Sequence, residues 1–595
     1  MTLLHCRLKV GVLGLFVGLA PLGGRGAAAE PEKMLGRPAP EFRLADPKGS
    51  QHGLVDLQDA RLVAVVFVGT ECPLTRLYGR KLASLAAAYA GRGVQFVAID
   101  SNLQDTAPEI AAWANEYDIT FPVLQDVGNQ VADQFAAVRT PEVFLLDAER
   151  VIRYRGRIDD QYTPGIQKPQ AGRRDLTLAI DELLAGKLVS EPEQPAVGCF
   201  IGRVTQPAVG EVTYSKQVAR IFQARCVECH RQGEIGPFAL TSYEEAVGWG
   251  ETIREVVDQG RMPPWFADPA HGKFLNDARL SDREKQTITE WVTAGCPQGD
   301  PQDLPEPRKF LDGWNIPEPD LVLKMSEKPF QVPAEGVVEY QHFAIDPGFS
   351  EDKWIVASEA RPGNRSVVHH ILVFLKPPGE PYELLKGSLL AAYAPGSPAR
   401  QAPPGLAKRI PAGSQIIMQI HYTPTGKPQE DMSSFGLSFC DAKDVKQRVE
   451  SGFAPNFGFL IPPGAKDYPV KSQYRFAADR LLMSLTPHMH VRGKSYRYEA
   501  VYPDGASEVL LEVPRWDFNW QLDYELAEPK LMPKGTLLRC EAHFDNSTEN
   551  LANPDPTKWV RWGDQTWEEM QIGWFTMATL PDEVQTKQLE NAHGR

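Results

Sequence analysis

Two kinds of hydrophobic spacing divide this chain. Arg61 to Gly69 (R-L-V-A-V-V-F-V-G) is a nearly continuous apolar run rich in β-branched residues, the pattern of a buried strand. A helical stretch follows over Leu77 to Ala90, a strand over Val94 to Asp100, a helical segment near Glu109 to Tyr117 and a further strand over Val143 to Asp147. Strands alternating with helices predict an α/β sheet. Between about 211 and 300 the setting is helical, and Ser242-x-x-Glu245 and Ser281-x-x-Glu284 read as capping boxes ahead of periodic segments. From about 318 the spacing changes again. Short apolar, β-branched runs (Trp354 to Ala357, Val367 to Leu375, Gln415 to Tyr422, Leu481 to Leu485, Tyr496 to Tyr502, Leu537 to His543) recur between Pro, Gly, Asn and Asp breaks, the spacing of an all-β sandwich. Residues 301–317 are proline- and charge-rich and read as a semi-stiff linker.

Length agrees with this division, because 595 residues are too many for one core. A net charge of -14, with no basic run, excludes nucleic acid as a partner. Residues 1–29 read as a secretory signal: Arg7 and Lys9 supply the positive end, Val10 to Leu22 the apolar core and Ala27-Ala28-Ala29 the cleavage site. That apolar run is shorter than the ~20 residues a membrane span needs, and no later stretch is long and apolar enough, so the mature chain is expected to be exported, periplasmic or cell-surface, without a transmembrane segment. The expected boundaries are a signal over 1–29, an α/β domain over 33–190, an all-α domain over 211–300, the linker over 301–317, and an all-β part over 318–580.

Cys72, in Glu71-Cys72-Pro73, falls between a strand and a helix N-terminus, where the dipole favours thiolate. With Thr140-Pro141 in V-R-T-P-E-V-F, residues 33–190 resemble the thioredoxin-like redoxins, the group of peroxiredoxins and thiol-disulfide oxidoreductases, in which that proline is cis and lies beside the active cysteine. The resemblance implies a thioredoxin-like fold with Cys72 as candidate catalytic residue. Two departures accompany it. The usual C-x-x-C is Cys72-Pro73-Leu74-Thr75, and the threonine of the peroxiredoxin pattern is replaced by Gly69. Cys199 is a candidate distant resolving partner; the other reading of Cys72 is a buried small hydrophobe.

Cys226-Val-Glu-Cys229-His230 is C-x-x-C-H, the signature of covalent haem c attachment, with the histidine as proximal iron ligand. No second C-x-x-C is present to complete a zinc site. The helical setting looks like a cytochrome c fold. Met262, in G-R-M-P-P-W, is the candidate distal ligand, with His271 or an open sixth position as alternatives; methionine opposite histidine raises the potential of an electron-transfer haem.

In the β part, Leu485-Thr-Pro-His-Met-His-Val491 places His488 and His490 two apart, on one face of a strand. Seven of the 12 histidines lie between 342 and 543, among them the adjacent pair His369-His370 and His421 in M-Q-I-H-Y-T-P. In order, and with Met570 in G-D-Q-T-W-E-E-M, these residues resemble the copper type II, ascorbate-dependent monooxygenases, the family of peptidylglycine alpha-hydroxylating and dopamine beta-monooxygenases. The resemblance covers about 318 to 580 and implies two jelly-roll halves, 318–445 and 446–580. It also implies two copper ions, one on His369, His370 and His421, the other on His488, His490 and Met570. Thioether is a soft ligand that favours Cu(I). The bland reading of Met570 is a core methionine. His543 matches no ligand of the animal enzymes and stands as an additional ligand or a surface histidine. A family cysteine that pairs with the one aligned to Cys540 is here Gln571, which leaves Cys440 and Cys540 as a possible pair; Cys296 has no assigned role.

Together the parts imply an exported oxidoreductase: a copper monooxygenase that hydroxylates a small-molecule or peptide substrate with O2, its electrons relayed through haem c from an outside donor. Two alternatives stand beside it. One is an electron-transfer or redox-sensing protein without hydroxylase activity. The other is a thiol peroxidase or thiol-disulfide oxidoreductase using Cys72.

Overall fold

The computed structural model describes residues 34–581 apart from 169, 204–209, 311–312, 335–337, 380–387, 395–398 and 426; the expected signal lies outside them. No helix among the described residues is long and apolar enough to cross a membrane.

The apolar run after Arg61 becomes strand Leu62–Val68, buried at every position. It lies inside a seven-stranded mixed sheet, parallel to Val94–Asp100 and antiparallel to Glu142–Leu146. Helices Pro73–Ala90, Ala107–Glu116 and Asp175–Leu184 accompany the sheet. The first begins four residues before the expected Leu77, because Pro73 carries the fixed φ and the missing N–H that suit a first helical position. The unit also extends past residue 190. Strand Cys199–Phe200 pairs with Arg139–Thr140, and Ile201 enters the core beneath the sheet. A two-residue edge pairing has no periodicity to read, so this closure was not visible in the pattern.

From Tyr214 to Thr293 the described elements are helical. Both capping boxes form: Ser242 Oγ accepts from the Glu245 N–H at 3.2 Å while the Glu245 carboxylate accepts from the Ser242 N–H at 3.0 Å. Ser281 and Glu284 repeat the exchange at 3.2 and 2.7 Å. The apolar core of this part (Tyr214, Phe222, Trp249, Ile253, Trp291) runs without a break into Cys72, Leu74 and Cys199. The helices therefore sit on the thiol end of the α/β sheet.

The expected linker is pinned at both ends. Arg308 reaches Glu228 at 2.5 Å, Phe310 lies 3.9 Å beneath the Arg231 guanidinium, and Asn315 donates to the Glu359 carboxylate. Beyond it the chain is largely β-sheet. A nine-stranded sheet continues across the expected break near 445 through a parallel pairing of Leu406–Ile410 with Gln447–Pro455. Each end of that sheet packs against a separate four-stranded sheet. The first core holds Ile355, Phe435, Ile371 and Met418; the second holds Leu485, Phe575, Tyr496 and Leu538. A small third core (Phe374, Ile417, Met570, Ile572, Trp574) joins the two.

Candidate functional site

Cys72 is the residue before helix Pro73–Ala90, in extended backbone, so its side chain faces the open amides of the first turn. Its Sγ lies 3.0 Å from the Thr140 carbonyl oxygen, and Thr140-Pro141 is a cis peptide. Cys199 stands directly opposite Thr140 in the short strand pair, which carries the second thiol to the first across 127 residues of chain (199 − 72). Both are free thiols. Burial alone would push Cys72 up, but hydrogen bonds from the Cys199 thiol, from the Thr140 side-chain hydroxyl and from the Thr75 backbone outweigh it and hold Cys72 at about 6. Cys199 moves the other way, held well above the ordinary thiol value by its hydrogen bond to Cys72 and by burial. One thiolate and one protonated thiol in contact form a dithiol pair poised for exchange.

Beside the pair, Glu71 is pushed up to about 7 by burial and by the Asp105 charge. A Cβ on Gly69 would meet Asn102 Nδ2 at 2.6 Å and Thr140 Oγ1 at 3.2 Å. The place of the peroxiredoxin threonine is thus already filled.

Residues 35–155 match the model of the AhpC/TSA family. A thiol:disulfide interchange protein DsbE of Allochromatium vinosum is 32% identical over 157 residues, which span 25% of this chain and 84% of that protein. A thiol-disulfide oxidoreductase ResA of Bacillus thuringiensis is 30% identical over 126 residues, 21% of this chain and 71% of its own. Through this domain, the chain belongs to the AhpC/TSA family. Among solved structures, a hypothetical protein of Sinorhizobium meliloti 1021 is 35% identical, covering 29% of this chain and 96% of its own, with a TM-score of 0.28.

Next to the AhpC/TSA domain, the C-x-x-C-H segment follows helix Ala219–Arg225 as a turn in which the Cys229 and His230 amides both donate to the Cys226 carbonyl, at 3.1 and 2.9 Å. His230 Nδ1 is 3.0 Å from the Phe238 carbonyl oxygen, an arrangement that makes it the protonated nitrogen and leaves Nε2 to ligate. Gly236 lies under the ring: a Cβ there would meet His230 Cγ at 2.9 Å. Burial keeps the Cys226 and Cys229 thiols protonated, up to about 12 and about 11. Met262 sits on the turn that closes helix Gly250–Asp258, its N–H donated to the Val256 carbonyl at 3.1 Å. His271 faces Glu512 of the β part at 3.3 Å instead.

The adjacent histidines of strand Val368–Lys376 would point to opposite faces of a regular strand. A β-bulge between Val368 and His370 breaks that alternation, and His370 stands opposite His421 of strand Gln415–Tyr422. One ring nitrogen from each of His369, His370 and His421 consequently lies within 4.8 Å of the others, a group that could hold a metal ion. On the second half, Met489 turns into the core while His488 and His490 face the other way, their rings 5.4 Å apart at 90°. His488 pairs with Ile572, and Met570 lies just ahead of that strand, packed on Phe374 and Ile417 from the strands that carry His370 and His421. Burial is the first cause that holds all five imidazoles neutral, as metal ligands must be: His369 and His488 are lowered to about 4, His490 to about 3, and His370 and His421 lie well below the usual value. His421 Nδ1 and His490 Nε2 are buried and accept no hydrogen bond.

His543 is not brought to this group. It lies on the outward face of strand Leu537–Phe544, against Asp467 at 3.2 Å and Glu541 at 3.5 Å, because alternation turns Ala542 and Phe544 inward and sends His543 out. Cys440 and Cys540 are both free thiols. Cys540 is buried under Gly573, and Gln571 donates to Tyr496 and Ser472 there. Several neighbours escaped the sequence reading. Tyr340 packs its ring on His370 and His421, Phe518 stacks on His369, Gln521 accepts from His488, and the Glu569 carboxylate accepts from the His490 and Arg492 amides. Only the aromatic density of the W-D-F-N-W-Q stretch hinted at any of them.

Proposed function

We propose that this chain is an exported thiol–disulfide oxidoreductase whose working pair is Cys72 and Cys199. The observation that carries the reading is the contact between a lowered and a raised thiol beside the cis Thr140-Pro141 bond. The Cys72 thiolate attacks one sulfur of a substrate disulfide, forms a mixed disulfide and releases a substrate thiol. Cys199 then gives up its proton and attacks the Cys72 sulfur, releasing the second substrate thiol. The substrate is reduced by two electrons and the protein leaves as the Cys72–Cys199 disulfide, to be reset by an external dithiol. The names of the Allochromatium and Bacillus relatives support this chemistry, and the filled space at Gly69 speaks against the peroxidase alternative. The test is reduction of an insulin disulfide by the prereduced protein. Cys72→Ser abolishes it, and Cys199→Ser accumulates a mixed disulfide visible by mass spectrometry. Full turnover in Cys72→Ser would sink the reading.

A second activity is favoured by the buried, unpartnered His421 Nδ1 and His490 Nε2. Neutral imidazoles plus a thioether fit two copper ions, on His369, His370 and His421 and on His488, His490 and Met570, in a double jelly-roll. Cys226, Cys229 and His230, with Met262 as distal ligand, fit one covalent haem c in a cytochrome c-like fold. When bound, the coppers supply the one-electron chemistry of a dioxygen-dependent monooxygenase, and the haem supplies electrons beside it. What the chain's own residues do is hold the imidazoles neutral by burial and, through Gln521 and the Glu568 carbonyl, fix the tautomers of His488 and His490. Elemental analysis and a pyridine haemochrome spectrum test this. The expected content is one haem and two coppers per chain, with one copper lost in His488→Ala and in Met570→Ala. Oxygen uptake coupled to an organic substrate separates a hydroxylase from a pure electron carrier. Haem without copper overturns the copper reading.

A further inference from the structure

The loop of residues 514–523, between strands Ser507–Val513 and Tyr524–Met532, reaches the helical part, the α/β unit and both β halves. Inward, Gln521 Oε1 lies 2.6 Å from His488 Nδ1, so the amide oxygen accepts the Nδ1–H and Nε2 keeps its lone pair. Phe518 lies between the two histidine sets, stacked on His369 at 5.4 Å and 15° and edge-on to His490 at 6.3 Å and 86°. Outward, Arg515 donates to the Gln259 and Gly260 carbonyls at 3.2 and 2.6 Å, on the turn that ends helix Gly250–Asp258. Asn519 donates to the Gly165 carbonyl at 2.7 Å, on the hairpin of the AhpC/TSA domain formed by Tyr162–Thr163 and Ile166–Gln167. Trp516 anchors the loop in the second β core.

We propose that Phe518 and Gln521 are positioning residues for the histidine centre, and that Arg515 and Asn519 make this positioning depend on the docking of the helical part and the AhpC/TSA domain. The physical reason is geometric. Two inward side chains and two outward anchors share a loop of ten residues (514 to 523), so a shift of either neighbouring part is transmitted to the ring of His488 and to the wedge between the sets. The second contact of a metal-bound histidine sets its tautomer and its basicity, and loss of such a contact weakens metal binding by about 10–100-fold. The inference rests on the metal reading of these histidines.

The experiment uses the full chain, with Cu(I) competition against bicinchoninate and Cu(II) electron paramagnetic resonance. Gln521→Leu is expected to weaken one of two copper sites by about 10–100-fold. Gln521→Glu, which keeps an acceptor, restores it. The pair Arg515→Ala and Asn519→Ala touches no ligand and is expected to shift the spectrum of a bound copper while two coppers are still held. Thermal melting checks that each variant folds, and the glutamate rescue separates positioning from a loss of fold. Unchanged affinity in Gln521→Leu, or an unchanged spectrum in the Arg515/Asn519 pair, overturns the proposal. No copper bound by the wild-type chain, or both coppers kept in His488→Ala, overturns the metal reading and this proposal with it.

Discussion

Cys72 shows how far a few hydrogen bonds offset burial. The thiol is almost fully enclosed, which favours its neutral form, yet the donors around it hold it at about 6. The sign of the resulting pH dependence follows directly. Below about 6 Cys72 is a thiol and unreactive; above it the thiolate dominates. Iodoacetamide alkylation followed by mass spectrometry is expected to rise with pH through a midpoint near 6 and then level off. In Cys199→Ala the midpoint moves upward, because the thiol that donates to Cys72 and most opposes the effect of burial is gone. A midpoint unchanged by that substitution would show that the helix end and Thr140 suffice. At residue 571 the opposite substitution is informative. Gln571 reaches Tyr496 at 2.8 Å and Ser472 at 2.9 Å, the two hydroxyls that also hydrogen-bond Cys540. Gln571→Cys is therefore expected to form a disulfide with Cys540 on oxidation, read as the loss of two free thiols from the intact mass. Two free thiols remaining would place the side chains too far apart.

Helix and strand boundaries were most legible where local chemistry decides them. Ser281 and Glu284 close a reciprocal cap that the sequence spells out, so Ser281→Ala is expected to lower stability by about 1 kcal/mol in urea unfolding. An unchanged midpoint would mean that packing of Ile288 and Trp291 alone defines the start of that helix. Strand Gln415–Tyr422 matches its apolar run residue for residue, because edge turns with Pro and Gly bracket it. The histidine site was legible only as a list of residues. Nothing in R-S-V-V-H-H-I-L-V-F marks the bulge that turns His369 and His370 together; a bulge is fixed by pairing with a distant strand, here Gln415–Tyr422. The same holds for Cys199. Its meeting with Cys72 depends on one pairing with Thr140, and no periodicity precedes it. His543, by contrast, left open by the sequence as an additional ligand or a surface histidine, sits in a regular strand whose alternation turns it outward, away from the other histidines.

At the scale of the whole molecule, the C-x-x-C-H turn and the strand that carries His369 and His370 are joined by a charged contact. Glu234 accepts from Arg365 at 2.5 Å and from Arg231 at 3.0 Å, and Arg365 lies four residues before His369. Both partners are only partly exposed, at 19% and 23% of the side chain, so the pair is neither a screened surface bridge nor a fully desolvated one. Tyr393, whose strand partner is Ile371, packs in the same electrostatic neighbourhood as Cys229, Glu234 and Arg365. Arg365→Glu puts like charges face to face at this joint. The expected result is a local loss of about 1 kcal/mol, read as roughly fivefold faster amide exchange over residues 229–236. Exchange in strand Leu62–Val68, which belongs to a separate core, stays unchanged. Faster exchange in both places would mean that the charge reversal unfolds the chain generally, and no change in either would mean that the pinned linker at Phe310 and Asn315, not the ion pair, holds the helical part against the β half.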